Sequence, residues 1–178
     1  MAYKNAVGLI GCGWLGTPLA SQLVSKGYRL HITTLDDEKA ENFKQLGYTT
    51  YLIDWDNTAE TEATLHELAN NVHTLIFALP PAWNNGQSEL LEKIAVMQQA
   101  LLNSRVKNVL FLSSIGVYGE AAGIITEKTQ PVVTDAYTQL LVDAEKKWTH
   151  FGNVNCTIVR LGGLIGVDRH PVYHLVKK

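Results

Sequence analysis

Residues 6–16 read Ala-Val-Gly-Leu-Ile-Gly-Cys-Gly-Trp-Leu-Gly, and the fold turns on how this stretch is read. Ala6–Ile10 is a short, unbroken apolar run, the mark of a strand buried on both faces. Gly11-Cys12-Gly13-Trp14-Leu15-Gly16 follows at once, and Leu15, Leu19 and Leu23 then recur at helical spacing until Gly27 stops the pattern. Strand, G-x-G-x-x-G turn and helix thus come in one continuous unit. The first glycine permits a tight turn, and the second lets backbone approach a bound group with no Cβ in the way. The third lets the helix pack closely on the strand. Pro18 suits the first helical turn, where a missing N–H costs little.

A helix that begins at such a turn points unpaired N–H groups and partial positive charge at whatever lies in front of it, which suits a pyrophosphate. Gly11, Gly13, Trp14, Leu15 and Gly16 are therefore candidate contacts for a dinucleotide, NAD or NADP. Two of the variable positions also have plainer readings: Trp14 as a loop side chain packed over the turn, and Cys12 as filler.

Outward from this unit the alternation continues. Leu30–Thr34, Thr49–Ile53, Thr74–Leu79, Asn108–Ser113 and Cys156–Arg160 read as further strands. Between them lie helical stretches: one capped by Asp36 or Asp37 and carrying Phe43 and Leu46, ended by Gly47, and one opened by Asn57 or Thr58 with Leu65 and Leu68 inward. A third follows Ser88, with Leu90, Leu91, Ile94, Met97 and Leu101 on one face, and a fourth runs from about Ala136 to His150. This predicts an α/β fold, a doubly wound parallel sheet of Rossmann type, as one domain over residues 1–178.

Composition sets bounds on partners. With 178 residues, 46% hydrophobic and 18% charged, the chain reads as an ordinary soluble domain. A formal charge of −2 with no basic cluster argues against nucleic acid, and no apolar run is long enough to span a membrane. Cys12 and Cys156 make no disulfide framework, and in the usual strand order two strands would separate them, so a cytoplasmic protein with two free thiols is expected.

The end of the second strand chooses between the two dinucleotides. Thr34 stands where an acidic residue takes the ribose 2′-hydroxyl or an Arg the 2′-phosphate. No Arg is adjacent, and Asp36 and Asp37 disfavour a phosphate even if their main work is to cap the next helix. NAD is the expected cofactor of the two.

A second constellation begins at Phe111-Leu112-Ser113-Ser114-Ile115-Gly116-Val117-Tyr118-Gly119, where hydroxyls at the carboxyl end of a central strand point into the ligand crevice. Together with Gly11–Gly16, Ala78–Ala82 (ALPPA), Ser113–Glu120 (SSIGVYGE) and Arg160–Pro171 (RLGGLIGVDRHP), the chain resembles the extended short-chain dehydrogenase/reductase superfamily, in an atypical branch of NAD-dependent epimerases and dehydratases. The resemblance implies a nucleotide-sugar substrate. It implies that Ser114 is the catalytic Ser/Thr and Tyr137 the catalytic tyrosine, that Asp54 contacts the adenine, and that Ala78, Leu79 and Pro80 form the loop under the cofactor. Glu145 fits the same register, and Arg160 and Arg169 fall in the segment leading to the substrate half. That half follows residue 171 in the family and is largely missing from these 178 residues, so the chain matches the amino-terminal part of a longer architecture. Pairing of two copies through the helices at Ser88–Asn103 and Ala136–His150 is a further implication.

One position departs from the pattern. Four residues after Tyr137 the family carries a Lys that favours the phenolate and holds the nicotinamide ribose, and this chain has Leu141. A phenol of ordinary pKa, about 10, is roughly one part in a thousand ionised at pH 7, and bringing it to 7 takes about 4 kcal/mol. Lys146 and Lys147 lie about 13–15 Å farther along the helix and cannot stand in. Leu141 thus divides two readings: an epimerase/dehydratase-type enzyme, or a non-catalytic NAD(P)-binding sensor or scaffold. The bland readings are a strand end for Ser113 and Ser114, a half-buried helix residue for Tyr137 and a turn cap for Asp54. His170 and His174 have ligand-like spacing, but Pro171 disfavours a helix there and no H-E-x-x-H is present, so no metal is expected. Neither a G-x-S-x-G elbow nor a G-K-[ST] loop occurs.

Overall fold

The computed structural model describes residues 6–82, 88–166, 168, 169 and 172. Six strands form one sheet: β1 (Ala6–Ile10), β2 (Arg29–Thr34), β3 (Thr49–Leu52), β4 (Thr74–Phe77), β5 (Asn108–Ser114) and β6 (Asn155–Leu161). All neighbours pair in parallel, in the order β3-β2-β1-β4-β5-β6. The order reverses at β1 and β4, and the crevice between diverging loops at that point is where open α/β sheets take ligands.

Among the described residues five α-helices cover the sheet: α1 (Gly16–Ser25), α2 (Asp37–Gln45), α3 (Thr58–Asn71), α4 (Leu90–Leu101) and α5 (Ala136–Thr149). Strand parity divides the core between the two faces. Ala6 and Ile10 join a cluster with Leu65, Leu68, Ile94 and Trp148 from α3, α4 and α5, whereas Val7 and Leu9 join Ala20 and Phe43 from α1 and α2. With both faces covered, β1 is buried along its whole length, which is why its sequence is apolar without alternation.

Helix ends follow the local chemistry. Asp36, Asn57 and Asp135 cap α2, α3 and α5 by accepting from Lys39, Glu60 and Thr138 amides. Gly27 and Gly47 take positive φ after α1 and α2, and the amides around each close the paired bonds of a Schellman motif onto Val24 and Leu23, and onto Lys44 and Phe43. Some expected details shift. Leu46, expected within α2 with Phe43, is its C-cap and is 63% exposed. β4 stops at Phe77 rather than Leu79: the Ala78 amide gives the last rung to Ile10, and Pro80 and Pro81 have no N–H with which to continue. β1 and β6 are separated by β4 and β5, and Cys12 and Cys156 are free thiols. Burial pushes the Cys156 thiol up to about 11, helped by the negative charge of Glu145. No helix among the described residues is long and apolar enough to cross a membrane.

His31 carries a pH dependence. It is 8% exposed on β2, with Nδ1 3.1 Å from the Tyr51 hydroxyl, and burial holds its pKa below the ordinary 6.5. Between the folded value and 6.5 the unfolded chain binds more protons, so stability rises with pH in that window and is complete above it. Thermal midpoints of the wild type should fall as pH drops below about 6.5. His31→Gln should lose that part of the fall. Equal slopes for the two proteins would refute the assignment.

Candidate functional site

At the carboxyl ends of β1, β4, β5 and β6 lies a cavity of about 500 Å³. One end is the glycine turn. Gly11 has φ +95° and its amide donates to Thr33 Oγ1 on β2 at 3.2 Å, which pins the turn to the neighbouring strand. A Cβ on Gly16 would run into the Gly11 carbonyl oxygen, so only glycine lets α1 start this close to the strand. A Cβ on Gly13 would meet nothing within 4 Å and would project into open space above the turn. Those three environments are what a dinucleotide pyrophosphate requires: a tight turn, an open approach and a close helix.

The far end holds the second constellation. Ser114 closes β5 and caps a one-turn 3-10 helix, Ile115–Tyr118, its Oγ accepting from the Gly116 amide at 3.0 Å. Tyr137 enters from the first turn of α5, and Leu141, one turn on, lines the same cavity. Leu141 is 3% exposed and packs with Val117, Tyr118 and Val142; its Cδ1 would touch a Cβ placed on Gly116 at 3.2 Å. Ala78, Leu79 and Pro80 form the floor between the two ends. The structure thus brings Gly11, Gly13, Trp14, Leu15, Gly16, Ala78, Leu79, Pro80, Ser114 and Tyr137 around one space.

Thr34 and Asp54 lie apart from it, toward β3. Thr34 ends β2, its Oγ1 accepting from the Asp36 amide. Asp54 lines a second depression of about 470 Å³, beside Leu35 and Trp55. Its carboxylate accepts from the Asp56 amide at 3.0 Å, and its backbone is held through Thr61, so it does form a turn as well as line a recess.

Ser113 lines the cavity too, but its hydroxyl is engaged by Glu145. Neighbouring residues on a strand face opposite ways. Ser114 opens to the cavity, while the Ser113 hydroxyl turns beneath α5 and donates to Glu145 Oε1 at 2.7 Å. Glu145 in turn accepts from Arg160 Nε at 2.9 Å and Nη2 at 2.7 Å, a bidentate pair. Arg160 Nη1 reaches the Tyr118 hydroxyl at 2.9 Å, and Tyr118 donates to the Thr126 carbonyl. The carboxylate holds the guanidinium pKa well above its ordinary value. This chain of bonds ties β5, α5, β6 and the loop after the 3-10 helix together directly behind Ser114. Arg160, expected near a substrate half, is a tie within the sheet's own edge.

Trp14 also does more than pack over the turn. Its indole lies beneath the Arg169 guanidinium, 4.3 Å from ring centroid to Cζ, and its Nε1 donates to Asp168 Oδ1 at 2.7 Å. Among the described residues no group of three His, Cys, Asp or Glu is placed to hold a metal; His170 and His174 lie outside them.

Residues 9–177 match the model of the NAD dependent epimerase/dehydratase family. The chain belongs to that family. Protein YeeZ of Escherichia coli K12 is 28% identical over 169 residues, covering 93% of this chain and 61% of YeeZ. The chain therefore spans about three fifths of the length of that curated relative. Among solved structures, UDP-N-acetylglucosamine 4-epimerase from Bacillus cereus superposes with a TM-score of 0.73 at 16% identity, over 92% of this chain and 57% of that one. UDP-glucuronic acid 4-epimerase from Bacillus cereus in complex with NAD gives 0.70 at 20% identity, over 94% and 60%. At those identities the structural likeness speaks for the fold of this family member. A Lys one turn after the tyrosine, by contrast, has no counterpart here, because Leu141 fills that place with packed apolar surface.

Proposed function

We propose that this chain forms the cofactor-binding part of an NAD-dependent epimerase or dehydratase that acts on a nucleotide sugar. The observation that carries the reading is the single cavity running from the glycine turn to Ser114 and Tyr137. NAD is preferred over NADP, because β2 ends in Thr34 followed by Asp36 and Asp37, with no Arg adjacent in sequence to meet a 2′-phosphate. Gly11 to Gly16 hold the pyrophosphate, Thr34 the adenosine ribose, Asp54 the adenine edge, and Ala78 to Pro80 the floor under the nicotinamide. The bound nicotinamide supplies a hydride acceptor.

The protein's own groups position and deprotonate. Ser114 Oγ already accepts from the Gly116 amide, so its hydrogen is left for donation to a substrate oxygen. Tyr137 takes the proton of the substrate hydroxyl as general base. Leu141 contributes no charge to that step, and its side chain instead dries the wall beside it. Turnover slower than is usual for such enzymes follows, since the Lys is worth a large share of the phenolate's stabilisation. The curated relatives extend well beyond this chain's length, and residues from such an extension would complete the substrate pocket. The outer faces of α4 and α5 are the surfaces through which two copies would pair, which light scattering can check.

The test is a titration with NAD and NADP, followed by hydride exchange against UDP-sugars. NAD should bind more tightly than NADP. Ser114→Ala and Tyr137→Phe should each cut turnover by about a hundredfold or more while leaving NAD affinity unchanged. Leu141→Lys should raise turnover, its methylene stem covering the surface that Leu141 covers now. Binding without turnover in any of these proteins would favour a sensor instead.

A further inference from the structure

The segment after β6 folds back over the glycine turn. The Arg169 amide donates to the Gly166 carbonyl at 3.1 Å, and Gly166 abuts the Trp14 ring: a Cβ there would lie 2.5 Å from Cζ2. Asp168 accepts the indole N–H, and the Arg169 guanidinium lies on the ring face. Trp14 is thus held by one side chain and roofed by another. Both come from the far end of the chain.

Among the described residues Arg169 is the one charged side chain lining the 500 Å³ cavity. Among the described residues no carboxylate pairs with it within salt-bridge distance; the neighbouring Asp168 feels its charge but accepts its hydrogen bond from Trp14. A guanidinium with one face on an indole keeps its N–H edge for a bidentate acceptor, and phosphate oxygens match that fork. Opposite it stand the amides at the start of α1, which favour the same charge. Two anion-seeking elements therefore face one space, the backbone below and a preset cation above.

We propose that Arg169 grips a diphosphate laid on the Gly11–Gly16 turn, with Trp14 as its platform. This rests on the reading of the cavity as a dinucleotide site. The diphosphate is that of the dinucleotide or that of a nucleotide-diphosphate substrate; the chemistry is shared, and the ligands below separate the sources. Asp168 serves the grip by fixing the plane of the indole.

Calorimetric titration of the whole chain with NAD, ADP, UDP and adenosine tests the grip. Arg169→Ala should weaken NAD and ADP at least tenfold, flatten their dependence on salt and leave adenosine unchanged. Arg169→Lys should restore only part of the loss, because an ammonium lacks the fork. Trp14→Leu should cost several-fold on the diphosphates, and Trp14→Phe less. Arg169 is exposed, so thermal midpoints of its variants should match the wild type. A loss confined to UDP would place the grip on the substrate's diphosphate and uphold it. Diphosphate affinities and salt slopes unchanged in Arg169→Ala, with the wild type binding NAD, would overturn the grip while leaving the cofactor site standing. Failure of the wild type to bind any dinucleotide would remove both.

Discussion

Glu145→Ala should lower the stability of this protein by about 3 kcal/mol, read as a fall of roughly 6–12 °C in thermal midpoint. The carboxylate accepts three bonds, one from Ser113 and two from Arg160, and it is nearly sealed from water. Its removal strands the Ser113 hydroxyl and leaves a guanidinium that keeps only Tyr118. Breaking a buried pair from one side typically costs 3–5 kcal/mol, and the low end applies because a fifth of the Arg160 side chain is exposed and can recover some solvent. Glu145→Gln, which keeps the shape and one acceptor, should lose less. Removing both partners in Glu145→Leu with Arg160→Met should recover much of the deficit, since apolar replacement of a whole pair is often neutral. Chemical denaturation of the four proteins decides the matter: a single-variant loss under about 0.5 kcal/mol, the range of ordinary surface changes, would show that the pair is idle. Cys156 gives a second reading. Without the Glu145 charge its thiol should ionise at lower pH than about 11, yet above the ordinary value of 9.0, because burial is the greater cause. Alkylation rates against pH report it.

Gly16→Ala is expected to have the next largest effect. The added methyl would overlap the Gly11 carbonyl oxygen, and backbone cannot swing aside as a side chain can. Either α1 backs away from β1 or the turn opens, at about 1–3 kcal/mol of stability, the usual cost of overpacking. Both movements spoil the amide geometry that faces a pyrophosphate, so NAD affinity should drop at least tenfold, about 1.4 kcal/mol. Gly13→Ala is the informative comparison. Its methyl would meet nothing in the protein and should leave the thermal midpoint in place, while intruding on the approach of the dinucleotide. Denaturation and NAD titration of the two variants should therefore separate: stability and binding both lost at position 16, binding alone lost at position 13. Equal behaviour would contradict the separate duties assigned to the two glycines.

What could be read in advance was what depends on neighbours along the chain. The order of strand, glycine turn and helix is local, and so are the stops at Gly27 and Gly47, whose positive φ few other residues would take. Ser114 and Tyr137 are implied by the family resemblance rather than by their local setting, and the cavity they share depends on how β5 and α5 meet. The ties between distant segments were hidden. Nothing near Glu145 announces Arg160, because their meeting depends on how α5 lies across β5 and β6. Trp14 and Arg169 meet only because the chain returns over its own beginning after β6. The direction of the Ser113 side chain was readable in principle from parity along β5, Val109, Phe111 and Ser113 being the buried set.

The indoles give the molecule two optical channels. Trp148 is fully buried among Phe77, Phe111 and Phe151, and its N–H has no hydrogen-bond partner among the described residues. In a variant that keeps only this indole, emission should be blue-shifted and silent to ligands until the core itself comes apart. Trp14, under the Arg169 guanidinium and bonded to the Asp168 carboxylate, is the opposite: a chromophore in direct contact with two charges. A variant with Trp14 alone should change colour when Arg169 engages an anion, so that folding and ligand binding can be followed at separate wavelengths.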